Sequence, residues 1–507
     1  MQREKIEYII VQAGGKGTRL QHLTANKPKA LVPIDNRPMI FHLFEKFPDK
    51  RFIIIADYKA DVMEKYLAAF AKVKYLVVRT EGKKGTCSGI KNALKKIPSD
   101  KAFMLIWSDL VLPQDFEMPE HVDNYVGLSK NFRCRWRYEN NKFEEIPSED
   151  NGVAGLFILK NKEVFSDVPE EGELVKWFGT KAEIKWDTLP LYKTKEFGVL
   201  EEYNNYHKEN IENRCRPFNR LIVSKDYIIK EGIDKQGMAL AIREKAWYRY
   251  VKDHGYKKIP QIISFDPFKM EKINGKNIFE YDLTLEEKES ILRELINNLQ
   301  ELHSIGKIDA DYFSIKENYL NKTLDRLNKI RDLVPFGDKE YIRINGKICR
   351  NVFFNYDILS KRVAQYSCPF FTVIHGDNTF SNMILKENKH PVLIDPRGYF
   401  GYNEIFGDPV YDWAKLYYSI VGNYDQFNLK HFMLDIEDDE IKLNIQSNQW
   451  EDLEAMFFEL LKDEVNERDI KFIHAIIWLS LTTYAWEDYD SICGAFYNGL
   501  YYLEESL

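Results

Sequence analysis

At 507 residues the chain is longer than one core ordinarily supports, which predicts two or three domains. A hydrophobic content of 44%, with 14% aromatics, is ample for globular packing and excludes general disorder. A net charge of −7 excludes a general nucleic-acid binder, which needs an excess of Lys and Arg against phosphate.

The six cysteines, Cys87, Cys134, Cys215, Cys349, Cys368 and Cys493, contain no CxxC pair. That pattern predicts reduced thiols in a cytoplasmic protein rather than a disulfide frame or a zinc site. The N-terminus is charged and runs straight into a core strand, so no signal peptide is expected. The longest apolar run, 472–481, falls far short of the ~20 residues a membrane span requires, and no span is expected.

In chain order, the apolar run Tyr8-Ile9-Ile10-Val11 predicts a strand feeding a loop, Ala13-Gly14-Gly15-Lys16-Gly17-Thr18-Arg19-Leu20. Glycines let backbone N–H groups approach phosphate oxygens with no Cβ in the way, and a helix starting after the loop adds its positive end. Arg19 and Lys29, the latter within Lys27-Pro28-Lys29-Ala30-Leu31, supply mobile cations. The loop is neither a spaced dinucleotide fingerprint nor a Walker loop, since no Gly-Lys-Ser/Thr follows. With Arg37-Pro38-Met39-Ile40 it resembles the signature of nucleotidyltransferases that make sugar nucleotides and CDP-alcohols.

Next, residues 51–56, 73–79 and 102–107 read as strands, and 60–72 and 88–96 as helices. Such alternation predicts a parallel, Rossmann-like α/β sheet with ligands at the carboxyl ends of its strands. Asp109 stands at such an end, where the resemblance implies the magnesium that bridges the nucleotide phosphates, although an Asp there also suits a plain turn. Gly85-Thr86-Cys87-Ser88-Gly89 matches the turn that helps hold the nucleotide base in that family; it also reads as a helix start capped by Thr86 or Ser88. Where sugar enzymes carry a phosphate-binding lysine, the chain reads Glu144-Glu145-Ile146-Pro147, which tilts the acceptor away from a large sugar phosphate. Glu196 and Asp187 compete as second metal carboxylate.

The polar run 204–214 predicts a linker, with domains at 1–208 and 209–507. Residues 220–223 and 227–230 read as a hairpin, followed by a helix over 239–251. Lys230 and Glu244 have the spacing of the ion pair that positions ATP phosphates in kinase-like folds. Phe268-Lys269-Met270-Glu271 reads as the hinge between a small lobe, about 215–280, and a large lobe, about 281–507. His375-Gly376-Asp377-Asn378-Thr379-Phe380-Ser381-Asn382, with Val392-Leu393-Ile394-Asp395-Pro396-Arg397-Gly398, resembles the aminoglycoside phosphotransferase and choline kinase superfamily. The resemblance implies that Asp377 accepts the proton of the attacking hydroxyl while Asn382 and Asp395 coordinate the magnesium of ATP. Arg397, with Gly407-Asp408-Pro409 and Tyr411-Asp412-Trp413-Ala414-Lys415-Leu416, looks more like phosphotransferases found among surface-polysaccharide genes.

Trp478, Tyr484, Trp486 and Tyr489 suit an aromatic box for a quaternary ammonium, with Asp488 or Asp490 for an amine. Aromatics at helical spacing are more often core.

Together these features predict a bifunctional enzyme. The C-terminal domain phosphorylates a small alcohol with ATP, and the N-terminal domain joins the phosphomonoester to NMP from an NTP, with magnesium at both sites. A choline-like amino alcohol with CTP is the first expectation. A sugar or polyol kinase coupled to sugar-nucleotide synthesis is the second, and a catalytically dead binding protein the third.

Overall fold

The computed structural model describes residues 6–80, 82–209, 219–387 and 389–507. The chain divides into two units, Met1–Glu212 with Trp486–Asp490, and Asn213–Ala485 with Ser491–Leu507. The expected domains did not include the short distant segment that joins the first unit. The expected linker is helical through Glu209, as the end of the helix Leu200–Glu209, while 210–214 and Cys215 lie outside the described residues.

In the first unit, strand β1 (Tyr8–Gln12) has Ile9, Ile10 and Val11 wholly buried. A strand apolar on both faces needs cover on both, the condition of a parallel sheet interior. It lies between parallel neighbours β2 (Arg51–Ala56) and β4 (Phe103–Trp107), and β3 (Lys74–Arg79) flanks β2. The helix α1 (Ala60–Phe70) makes the crossover from β2 to β3.

The strands read from the alternation, β1 to β4, are parallel as expected, but the sheet continues beyond them with strands of the other sense. β6 (Gly152–Leu159) joins β4 antiparallel, and β5 (Tyr125–Ser129) pairs with β6 antiparallel, so the nine-stranded sheet among the described residues is mixed. Between β5 and β6 the chain makes a short hairpin, Arg137–Glu139 with Lys142–Glu144, instead of a crossover helix, and nothing then imposes a parallel return. Because Gln12 of β1 is in register with Trp107 of β4, the loops after both strands open at one edge of the sheet.

The second unit begins, among the described residues, with a four-stranded antiparallel sheet. Its strands are β7 (Asn219–Val223), β8 (Tyr227–Gly232), β9 (Ile262–Phe265) and β10 (Phe268–Glu271), with β10 between β8 and β9. Helix α2 (Lys235–Asp253) follows β8 and is capped by Asp234, whose carboxylate accepts from Gly237 N at 2.7 Å. The expected hinge at 268–271 is therefore corrected: Met270 pairs with Ile228 inside the sheet, and the chain leaves it only at Lys272. Alternating burial of Phe268 and Met270 is the signature of a strand rather than a free connection.

The rest of the unit is mainly helical. It includes α3 (Lys322–Ile330), α4 (Pro409–Ile420) and α5 (Glu467–Leu481). No helix among the described residues is long and apolar enough to cross a membrane.

Candidate active sites in the two units

In the first unit Ala13 is still in the sheet ladder, its N–H donating to Ile55 O at 2.9 Å, before the chain turns away through Gly14 and Gly15. Gly17 takes a φ of 66°, and a Cβ there would lie 3.0 Å from Lys29 Cβ. A side chain at that position would push Lys29 away from the loop, so glycine there joins the two halves of the motif. Thr18 opens the short helical turn that carries Arg19.

Lys29 Nζ lies 2.5 Å from Asp109 Oδ2. Burial opposes the Asp109 charge, but Lys29 outweighs it and holds the carboxyl below its ordinary range. Glu196 reaches the same place because Lys195–Glu196 pairs with Leu110–Val111, and Phe197 N donates to Asp109 O at 3.1 Å. Burial, then the Asp109 charge, pushes Glu196 up to about 7. Arg19 stands 3.7 Å from Glu196 and is otherwise exposed. The structure thus gathers Arg19, Lys29, Asp109 and Glu196 around the glycine loop.

Asp187 is not among them. Its partner Tyr125 is in register with Ile158, which pairs with Met104 at the beginning of β4, the sheet end opposite Asp109.

Gly85 has a φ of 90°, and a Cβ would meet the Gly172 carbonyl at 2.4 Å. The cap expected from Thr86 or Ser88 on the following helix is absent. Thr86 Oγ1 instead accepts from Leu174 N at 2.7 Å, at the start of Leu174–Phe178, and Ser88 Oγ donates to Lys83 O at 2.9 Å. The helix that follows begins only at Ile90, after Gly89, too far along for either hydroxyl. The Thr86 carbonyl accepts from Gln12 Nε2, which ties the turn to β1. Gln12 was missed in the sequence, although an amide closing an apolar strand just before a glycine loop was a usable signal.

In the second unit Lys230 on β8 lies 2.8 Å from Glu244 on α2 and 2.5 Å from Asp395. Burial works against the ammonium, but Asp395 and Glu244 outweigh it and keep Lys230 protonated. Burial pushes Glu244 up to about 7. Asp395 follows the strand Pro391–Leu393 with a φ of 55°.

Asn382 Nδ2 donates to the Asp377 carbonyl at 2.7 Å and to its carboxylate at 3.0 Å. The same carboxylate pairs with Lys415 at 2.9 Å. Beneath the loop, buried Asp412 on α4 accepts from His375 N at 2.8 Å and Gly376 N at 2.7 Å, with His303 at 3.1 Å. Asp412 and Lys415 stood in the quoted motif without a role; their work depends on a helix packing under the loop, which spacing alone does not reveal.

Both sites fit magnesium. The buried Asp109 Oδ1 has no hydrogen-bond partner, and Asn382 spends its amide nitrogen, not its oxygen, on Asp377. Among the described residues no group of three or more His, Cys, Asp or Glu is placed to hold a metal. Two hard oxygen ligands suit Mg2+, which keeps waters and takes substrate phosphates as its other ligands.

The aromatic box is corrected. Trp478 is wholly buried, its indole N–H donating to His474 Nε2 at 3.0 Å, with Tyr418 and Phe427 around it. Trp486 belongs to the first unit, where it packs 5.3 Å from Phe41 and 6.2 Å from Phe70. Asp488 is buried in that unit, 3.0 Å from Lys27. Tyr489 is buried as well, and Tyr484, 47% exposed, already has the Arg326 guanidinium 5.9 Å from its ring.

Residues 8–130 match the family model for nucleotidyl transferases. The chain is 26% identical over 262 residues to bifunctional protein GlmU of Methanococcus vannielii, covering 44% of this chain and 61% of that protein. It is 27% identical over 165 residues to the catalytic subunit beta of mannose-1-phosphate guanylyltransferase of Drosophila melanogaster, covering 31% and 45%. A solved CTP:phosphocholine cytidylyltransferase of Streptococcus pneumoniae is 17% identical, with 40% of this chain and 99% of that one covered at a TM-score of 0.34. The chain thus spans less than two thirds of the length of these curated relatives. The matched stretch contains the glycine loop, Lys29, Gly85-Thr86 and Asp109, and the first unit carries an α/β domain of the nucleotidyltransferase type.

Proposed function

We propose that the chain is a two-site transferase in which the second unit phosphorylates an alcohol with ATP and the first transfers an NMP from an NTP to the resulting phosphomonoester. The observation that carries this reading is that each unit gathers its own cation and oxygen ligands: Lys29 with Asp109 and Glu196, and Lys230 with Asp395 beside Asp377 and Asn382.

In the first unit a phosphomonoester oxygen attacks the α-phosphorus and pyrophosphate leaves. Arg19 and Lys29 hold phosphate oxygens as charge shifts toward the leaving group. Asp109 and Glu196 would hold Mg2+, which when bound neutralises phosphate charge. In the second unit Lys230, fixed by Glu244, meets the ATP phosphates, and Asp377 takes the proton of the hydroxyl that attacks the γ-phosphorus. Asn382 and Asp395 would hold the second Mg2+. The described cysteines are all free thiols, which suits a reducing compartment.

The first-choice amino alcohol with CTP rested on the missing lysine, the resemblance to choline kinases and an aromatic box, and the box is not formed. The sugar or polyol reading gains from the names of the relatives, one of which acts on mannose 1-phosphate. The test is incubation with MgATP, a panel of alcohols and each NTP, following ADP, pyrophosphate and the joined product by mass spectrometry. All three are expected, and all vanish with EDTA. Absence of pyrophosphate with every phosphomonoester contradicts the first half, and absence of ADP with every alcohol contradicts the second.

A further inference from the structure

The surroundings of Asp377 are unusually rich in cations. Arg397 is fixed to the loop itself: its N–H donates to His375 O at 2.8 Å, and a Cβ on Gly376 would lie 3.0 Å from Arg397 Cβ. Its guanidinium sits 4.3 Å from the ring of Tyr399, and Nη1 donates to Tyr411 OH at 3.0 Å. Lys415 is on Asp377. From α3, Lys322 and Arg326 are spaced i,i+4 and so share one helix face. Lys322 Nζ donates to Asn318 Oδ1 at 2.7 Å, and Arg326 Nη1 donates to the Ser480 carbonyl.

These groups act on one another. Burial, then Arg397, Arg326 and Lys415, drives the Lys322 ammonium well below its ordinary range, with Glu317 opposing. Burial and Arg397 lower Arg326 in the same way. Tyr399 is held below the usual phenol range by Arg397, Arg243 and Arg326, although burial opposes this. Among the described residues Lys322, Arg326 and Arg397 make no salt bridge, and Lys415 has only Asp377.

Half-buried like charges repel, and a protein that keeps Lys415 and Arg397 at a reactive carboxylate, with Lys322 and Arg326 near enough to feel Arg397, has a use for an anion there. Arginine in particular presents a planar fork matched to phosphate or carboxylate oxygens. A cationic acceptor entering the same space would add to the repulsion.

We propose that the acceptor phosphorylated at Asp377 is an alcohol that also carries a phosphate or carboxylate, held by Lys322, Arg326 and Arg397. This rests on the phosphotransferase reading of the second unit. The acceptor hydroxyl oxygen forms a bond to the γ-phosphorus of ATP while the bond from that phosphorus to the β,γ-bridging oxygen breaks. Asp377 receives the hydroxyl proton, ADP leaves, and the acceptor's own anionic group is unchanged.

The full-length protein is assayed for ADP formation with matched probes: glycerol, D-glycerate and glycerol 3-phosphate; glucose, glucuronate and glucose 6-phosphate; choline and ethanolamine. At least one anionic member should exceed its neutral parent about tenfold or more in kcat/KM, the scale of one charge-assisted contact. Whether the phosphate or the carboxylate compounds win tells the two sources apart. Lys322→Met and Arg326→Gln should each raise KM for that probe about tenfold while KM for MgATP stays within twofold, a ratio that also reports a folded protein. Better use of choline, ethanolamine or the neutral parents overturns the anionic acceptor and leaves the kinase reading standing. No ADP with any alcohol, together with no thermal stabilisation by the Mg2+ complex of a nonhydrolysable ATP analogue, sinks the kinase reading and this inference with it.

Discussion

Asp187 competed with Glu196 in the sequence, and strand pairing separates them. Glu196 is drawn to Asp109 by the pairing of Lys195–Glu196 with Leu110–Val111, whereas Asp187 lies at the other end of the sheet. Glu196→Gln should raise the Mg2+ needed for half-maximal pyrophosphate release by about tenfold or more, as loss of one carboxylate from a hard-ion site implies. Asp187→Asn should leave it unchanged. A Mg2+ titration of both variants checks this, and the reverse ranking would reassign the second carboxylate. Arg19, Lys29, Asp109, Asp377 and Asn382 were legible because short motifs fix them within a loop or just past a strand. Glu196 was only half legible, since its neighbour Asp109 is distant in sequence. Asp412 was illegible in role, because accepting two backbone N–H groups is a consequence of packing.

At the scale of elements, apolar periodicity located β1 to β4 and the helices Ala60–Phe70 and Ile90–Leu94 to within a few residues, but missed Met39–Lys46 and β5 and read the helix Leu200–Glu209 as a linker. The alternation gave the parallel sense of β1 to β4 but not the sense of β6, because such an apolar run fits an interior sheet position either way. In α5 the face that carries Trp478 is core and not a ligand box. That helix carries a testable consequence in His474. Burial first, and Lys471 second, lowers the ring to about 3, and its Nε2 accepts from Trp478. A folded pKa below the ordinary unfolded value means the unfolded chain binds more protons between pH 3 and about 6.5, so stability falls as pH falls through that window. His474→Gln should flatten the dependence between pH 6.5 and 5 by up to about 1.4 kcal/mol per pH unit. Urea unfolding across that range measures it, and an unchanged slope would show that His474 is not the titrating group.

At the scale of the whole molecule, the first unit includes a segment from near the other end of the chain. Lys27, 2% exposed, meets Asp488 at 3.0 Å and also pairs with Asp490, while Trp486 packs against Phe41. Burial alone would discharge the ammonium, but the two carboxylates outweigh it. Removing one partner of a buried pair costs about 3–5 kcal/mol, so Lys27→Met should destabilise the first unit by that order in chemical denaturation. A loss below about 1 kcal/mol would show the pair to be dispensable. Nothing in the N-terminal motifs announced this contact, since the residue separation is 463.

The central claim is that the two chemistries occupy separate sites, and the most direct measurement is the pair of variants Asp109→Ala and Asp377→Ala. With an accepted alcohol, MgATP and an NTP, each is followed for ADP and for pyrophosphate, alone and mixed. Asp109→Ala should keep ADP formation and lose pyrophosphate release by at least about a hundredfold, and Asp377→Ala should lose ADP formation yet release pyrophosphate when given the phosphorylated product. Mixing them should restore the nucleotide-joined product from the free alcohol. If each variant loses both activities and the mixture stays inactive, the two-site account is contradicted.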